Sequence, residues 1–199
     1  CPGSVPVVNL DPVYTRASAA PSSSTCRPQG STGINVQLGR FGIECLRRSA
    51  ELLAVDGVRP EVGLNEAGYL CLASESGKSV LEENHRLQRL LGADIVLLDP
   101  ASLGERFPWL DTEGLALGSL GLSGEGWFDG YGLMQAFRRK ARDLGARYVT
   151  GEACGFDRSG ARVSAVRLAA GTSLSCDVAV NAAGPWARPP GGWEEPRRG

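Results

Sequence analysis

The sequence predicts a mixed α/β or α+β fold, and three observations carry that prediction. Short apolar runs stop at turn residues, apolar positions recur at a 3.6-residue period in several stretches, and the final third is β-rich and divided by glycine turns. A chain of 199 residues with 42% apolar side chains can bury a core. Its 21 Lys and Arg against 22 Asp and Glu give a net charge of -1 without long runs of either sign, so it shows no electrostatic footprint for nucleic acid. No apolar stretch approaches the ~20 residues of a membrane-spanning helix. Six cysteines without a CxxC pair, beside a single histidine, do not make a zinc-type set, and reduced thiols are expected.

In chain order, residues 5–10 are apolar and end at Asp11-Pro12, as a buried parallel strand does. Residues 15–33 hold twelve Ser, Thr, Pro or Gly, so this loop is either disordered or shaped around a ligand. Residues 34–55 read as one amphipathic helix through Val36, Leu38, Phe41, Ile43, Leu46, Leu52 and Leu53, broken by Gly39 and Gly42. Residues 61–74 read as an antiparallel hairpin turning at Asn65-Glu66-Ala67-Gly68. A helix over 80–91 has Ser76 or Ser79 as candidate cap, a strand covers 95–98, and a short helix covers 101–107. Residues 114–128 are strand-like, and Asp129 caps a helix ending at Gly145. Strand pieces at 148–149, 153–156 and 163–168 form a meander that feeds a terminal strand at 178–180.

Several familiar signatures fail. Ser76-Gly77-Lys78-Ser79 ends like a phosphate loop, but the glycine required five positions before Gly77 is Leu72. GxGxxG is absent. His85 lies among charged helical residues without a nucleophile or metal partner and reads as a surface side chain. Two places remain. Asp11 follows the first strand, where dinucleotide folds set an acidic residue against ribose hydroxyls. Residues 178–187 run from an apolar strand into Asn181-Ala182-Ala183-Gly184-Pro185-Trp186-Ala187, small residues that let backbone N–H groups approach a phosphate or sugar. The plainer reading is a strand end with Trp186 as a core plug.

Five collinear segments go further: Asp11-Pro12-Val13-Tyr14-Thr15-Arg16-Ala17-Ser18, Asn65-Glu66-Ala67-Gly68-Tyr69-Leu70-Cys71-Leu72-Ala73-Ser74, Arg106-Phe107-Pro108-Trp109-Leu110-Asp111-Thr112-Glu113-Gly114, Gly126-Trp127-Phe128-Asp129 and Asn181 through Ala187. Together they resemble FAD-dependent oxidoreductases of the D-amino-acid oxidase superfamily over about residues 5–187. The resemblance implies a partial two-domain FAD-binding, Rossmann-like fold with an antiparallel substrate-domain sheet. Residues 1–187 are then an incomplete domain of this kind, with 61–128 mainly substrate-domain elements and 188–199 an unstructured tail.

By the same resemblance, residues 5–10 are the second strand of the FAD fold, and GxGxxG is expected just upstream of Cys1. The family's ribose-binding glutamate falls on Asn9, whose amide offers one acceptor oxygen where a carboxylate offers two. Arg16, Ala17 and Ser18 would line the pyrophosphate and flavin side. Ser24 and Thr25 stand where the family has paired glycines beside the flavin ring. Ala153 matches a backbone contact to adenine, and Ala182, Ala183, Gly184 and Trp186 match the last FAD-contacting turn. The implied chemistry is hydride transfer from an amine or N-methyl amino-acid-type substrate to FAD, with catalytic residues expected beyond this chain. Alternatives are a flavin-fold scaffold that assembles mitochondrial respiratory complex I, which implies mitochondrial location, and a non-functional truncation.

Overall fold

The computed structural model describes residues 5–15, 17–19 and 21–187. Arg16 and the expected tail at 188–199 lie outside them. The chain divides into two units, one made of Cys1–Pro21 with Ala141–Gly199 and the other of Ser22–Lys140.

In the first unit, β1 (Pro6–Asn9) pairs in parallel with β7 (Arg147–Thr150), setting Val8 opposite Val149. The slanted ladder continues past both ends, where Arg147 N–H donates to the Val5 carbonyl and Gly151 N–H to that of Asn9. The expected first strand is present, but it is half-buried along its length. The meander is β8 (Ala153–Ser159), β9 (Arg162–Leu168) and β10 (Ser173–Ser175), all antiparallel. Its last strand is not the one expected. Residues 178–180 have no ladder among the described residues, and Val178 and Val180 are 78% and 85% exposed. A β-rich composition makes a strand only where a neighbouring edge offers hydrogen bonds.

The second unit opens with β2 (Thr25–Cys26), α1 (Gly33–Arg47) and α2 (Ser49–Leu52). Next come β3 (Leu70–Ala73), α3 (Lys78–Leu90), β4 (Ile95–Leu98) and α4 (Pro100–Arg106). β5 (Leu117–Gly121), β6 (Gly126–Trp127) and α5 (Gly130–Asp143) close the series. Its main sheet is antiparallel in the order β3-β5-β4, so the fully buried β5 is central. β2 pairs with β6 in a second, two-stranded sheet. Val36, Ala93 and Ile95 form one apolar cluster, and Ile43, Leu46 and Val62 another. Among the described residues no helix is long and apolar enough to cross a membrane.

The expected cap at Asp129 is present, and Asp99, read only as following a strand, caps a helix as well. Asp99 Oδ1 accepts from Ser102 N–H at 2.8 Å, and Asp129 Oδ1 from Gly132 N–H at 2.8 Å. Ser76 and Ser79 do not cap α3, which follows a 3-10 turn at Glu75–Gly77 and starts from Gly77. The hairpin over 61–74 does not form. Asn65 exchanges backbone hydrogen bonds with Trp127, Asp129 N–H donates to the Val62 carbonyl, and β3 pairs with β5 instead. His85 is half-buried, its Nε2 3.1 Å from the Ile95 carbonyl, so it ties α3 to β4.

Gly39 and Gly42 do not break α1, which runs unbroken to Arg47. A Cβ at Gly39 would overlap the Arg27 carbonyl, and one at Gly42 would meet Cys26 Sγ at 3.1 Å. The two glycines let the Cys26-Arg27-Pro28 backbone lie on the helix. Leu38 and Phe41 are exposed, although the helical period placed them on the core side. Gly39→Ala is therefore expected to destabilise by about 1–3 kcal/mol through overpacking. Gly104→Ala, in α4 with open space around it, should stabilise by about 0.5–1 kcal/mol. Urea midpoints of the two variants check the opposite signs.

Candidate functional site

The first unit brings most of the sequence-predicted site residues to the end of β1 and the turn before Ala187. Asn9 closes β1, and its Oδ1 accepts from Asp11 N–H at 3.1 Å. That local bond uses one lone pair of the amide oxygen, and the Nδ2 donors take no part in it. Asp11 is used by the loop itself. Its Oδ1 accepts from Val13 N–H at 3.2 Å, its Oδ2 from Thr15 Oγ1 at 2.9 Å, and its carbonyl from Tyr14 N–H. Tyr14 sits at φ 61°, and Ala17 N–H donates back to the Tyr14 carbonyl. The loop thus folds tightly on itself.

That turn is also locally built. Asn181 Oδ1 accepts from Ala183 N–H at 3.1 Å, and Asn181 Nδ2 donates to the Ala187 carbonyl at 3.2 Å, so one side chain closes both ends. Gly184 at φ 57° opens a 3-10 turn over Gly184–Trp186. The turn spends the N–H groups of Ala183, Trp186 and Ala187 on itself. Those of Ala182 and Gly184 remain available. A Cβ on Gly184 would stand 4.0 Å from Ser18 Oγ, so a hydroxyl and a bare backbone face lie together. Trp186 is half-exposed and is not a core plug. Ala153 starts β8, paired with Leu168 and half-buried.

Ser24 and Thr25 belong to the second unit. Ser24 holds φ 49°, a left-handed conformation that favours glycine, and its carbonyl accepts from Phe128 N–H at 3.0 Å. Thr25 pairs with Trp127 on β6. The backbone at Ser24 therefore holds a conformation that favours glycine while carrying a side chain. Sequence reasoning passed over Glu125 and Gln29 in this unit. Glu125 is a fully buried carboxyl bonded to Gln29 Nε2 at 2.8 Å. The only local signal was a carboxylate between Gly124 and Gly126 in an otherwise apolar stretch.

A protein-family model described as DAO, FAD dependent oxidoreductase, matches residues 11–198. The chain belongs to the FAD-dependent oxidoreductase family. The match runs past Ala187, where the sequence resemblance was placed to end, to residue 198. FAD-dependent oxidoreductase domain-containing protein 1 from Xenopus laevis is 39% identical over 92% of this chain and 40% of its own length. The Bos taurus protein of that name is 39% identical over 90% of this chain and 41% of its own. The chain thus spans about two-fifths of the curated relatives it matches. Among solved structures, glycine oxidase from Geobacillus kaustophilus superposes with a TM-score of 0.75 at 22% identity, covering 92% of this chain and 50% of that one. L-proline dehydrogenase from P. horikoshii gives 0.73 at 23% identity, covering 85% and 44%. These likenesses show the fold.

FAD is the cofactor of the family, and the residues present fit part of it. The donors of Asn9 and Ser18 and the small-residue turn at Gly184 suit sugar hydroxyls and phosphate oxygens, which need close, uncrowded N–H and O–H groups. At Ser24, replacement by glycine should leave stability unchanged or raise it by up to about 1 kcal/mol, because the left-handed strain is relieved while unfolded-state entropy grows. Ser24→Val should lower it by about 1–2 kcal/mol, since a β-branched residue resists that region. Equal urea midpoints for the two variants would show that the left-handed geometry is not required.

Proposed function

We propose that this chain supplies the adenosine and pyrophosphate side of the FAD site in an oxidoreductase that takes a hydride from an amine or N-methyl amino-acid-type substrate. The observation that carries the reading is the meeting of Ser18 with the bare backbone of Gly184 in the unit that also holds Asn9. Asn9 donates from Nδ2 to a ribose hydroxyl, Ser18 donates to a phosphate oxygen, and the Ala182 and Gly184 N–H groups reinforce that hold. Ala17 belongs to the same loop, and Arg16, its neighbour in sequence, carries a positive charge. Ala153 offers backbone to the adenine edge, and Trp186 closes the turn. Ser24 and Thr25, in the second unit, match the family's flavin-side positions by sequence resemblance. Bound FAD supplies the electron acceptor, while the protein positions substrate and cofactor.

A second reading has support in one observation. Ile34, Leu38 and Phe41 recur along one side of α1 and are all largely exposed, as on a helix that meets another protein. It makes the protein a flavin-fold scaffold for respiratory complex I subunits or assembly intermediates in mitochondria.

Flavin fluorescence quenching on the full-length protein tests the first reading. FAD is expected to bind, and Gly184→Val is expected to weaken it at least about tenfold by forcing a β-branched side chain into the left-handed region and crowding Ser18. Unchanged affinity in Gly184→Val would remove the turn from the site. Anaerobic bleaching of the bound flavin by N-methyl amino acids or simple amines would establish turnover. Capture of complex I subunits without such bleaching would favour the scaffold.

A further inference from the structure

Glu125 is the charged residue most thoroughly removed from solvent in the second unit, with 0% of its surface exposed. Its Oε2 accepts from Gln29 Nε2 at 2.8 Å, and Oε1 has no hydrogen-bond partner among the described residues. A Cβ at Gly121 would overlap this carboxyl, so the glycine that ends β5 makes the space that Glu125 fills. Gln29 is fully engaged. Nε2 gives its other hydrogen bond to the Tyr69 carbonyl at 3.0 Å, and Oε1 accepts from Ser119 Oγ at 3.1 Å, on the buried central strand.

The titratable groups facing Glu125 are few. Arg27 comes from the same segment as Gln29, its guanidinium 5.1 Å over the Tyr69 ring. The Cys26 thiol on β2 and the Cys71 thiol on β3 both feel the Glu125 charge. Glu66 is turned away, held by Arg47 and by Gly124 N–H. Burial pushes the Glu125 carboxyl above the usual carboxylate range, while the Gln29 side-chain hydrogen bond, the Tyr69 backbone, the Arg27 charge and the Gln29 backbone, in that order, pull it down less strongly.

Residues 24–29 carry a two-residue strand as their sole ladder, so most of the segment depends on side chains for its course. Glu125 directly precedes β6, the strand that pairs with β2. One short stretch of chain therefore grips this segment twice, through the ladder at Thr25 and through the carboxyl at Gln29. We propose that Glu125 is a positioning residue which, through its hydrogen bond with Gln29, sets the course of the 24–29 segment and so the flavin-side positions Ser24 and Thr25. The proposal rests on the FAD reading above. An ionised carboxylate there is a buried charge, eased by the Arg27 guanidinium on the segment being held, and its burial is costly.

The sign of the pH dependence follows. The folded-state carboxyl holds its proton more tightly than the unfolded chain does. Its stabilisation is complete below the unfolded glutamate pKa of about 4.3 and is lost as pH rises through the folded value.

The test compares wild type, Glu125→Gln and Glu125→Ala in the full-length protein, reading the thermal midpoint and FAD Kd across a pH series. Wild type is expected to lose midpoint and raise its FAD Kd as pH rises through the folded-state pKa. Glu125→Gln, a permanently neutral isostere, should stay flat in both while keeping acid-range affinity within about threefold of wild type. Glu125→Ala should weaken FAD at least tenfold. A Glu125→Gln variant that titrates like wild type in both readouts overturns the proposal, as does one that loses FAD affinity as severely as Glu125→Ala. Midpoints that respond as expected with an FAD Kd independent of pH also overturn it, leaving Glu125 a structural residue only. If wild type binds no FAD at all, the FAD reading fails and the positioning role with it, whereas loss of pH response in Glu125→Gln with FAD bound to wild type supports the role.

Discussion

The second unit depends on one amide. Gln29 gives both N–H groups to acceptors from different parts of the chain, Tyr69 and Glu125, and takes a hydroxyl from a third, Ser119. These partners lie 40, 96 and 90 residues away in sequence, so a single side chain joins a loop rich in Ser, Thr, Pro and Gly to the central sheet. Such a loop has little apolar surface with which to repay its ordering entropy. A buried hydrogen-bond network holds it instead, and networks of this kind are stiff because any partner left unpaired in low dielectric is costly. The α1 glycines complete the arrangement by letting the Arg27-Pro28 backbone seat directly on the helix.

What the sequence made legible was local. Asp129 announced a helix start because a cap is a contact within one turn, whereas Asp99, read only as following a strand, caps the next helix in the same way. The β8-β9 hairpin was legible from its Ser159-Gly160 turn, with Gly160 at φ 61°. What it hid was pairing at a distance. Residues 62–65 looked like half of a hairpin, yet Gly68 at φ 79° lies so close to the Gly121 carbonyl that a Cβ would overlap it, and the chain passes on to β5. Val178 and Val180 had strand composition without a strand's neighbour. The glycines of α1 looked like helix breakers because their reason, a second backbone crossing the helix, comes from a segment more than ten residues earlier.

The candidate site divides along the same line. Asn9, Ser18 and Gly184 could be named only through resemblance to a family, since no GxGxxG or triad marks them, and the structure adds how their backbones are held. Asn9 and Asn181 each turn their own backbone, and Asp11 spends both carboxylate oxygens on its loop. Asp11 thus shapes the loop that follows the first strand. Glu125 had no comparable signal. Whether a lone carboxylate between glycines is solvated or sealed depends on the residues that cover it, and those are scattered from Arg27 to Gly121.

Two carboxylates near one another in the second unit show how environment assigns opposite behaviour to the same chemistry. Glu66 meets Arg47 through two hydrogen bonds at 2.8 and 2.6 Å and also accepts from Gly124 N–H, and the Arg47 bond foremost holds its carboxyl below the usual range. That stabilisation is present above the unfolded pKa and is lost as pH falls through the folded one. Glu125, sealed against Gly121, moves the other way and weakens the unit as pH rises. The two effects bound the unit from opposite sides of the pH scale. Gly124 N–H bonds one carboxylate and the next residue is the other, so the turn between β5 and β6 carries both limits within two residues of chain.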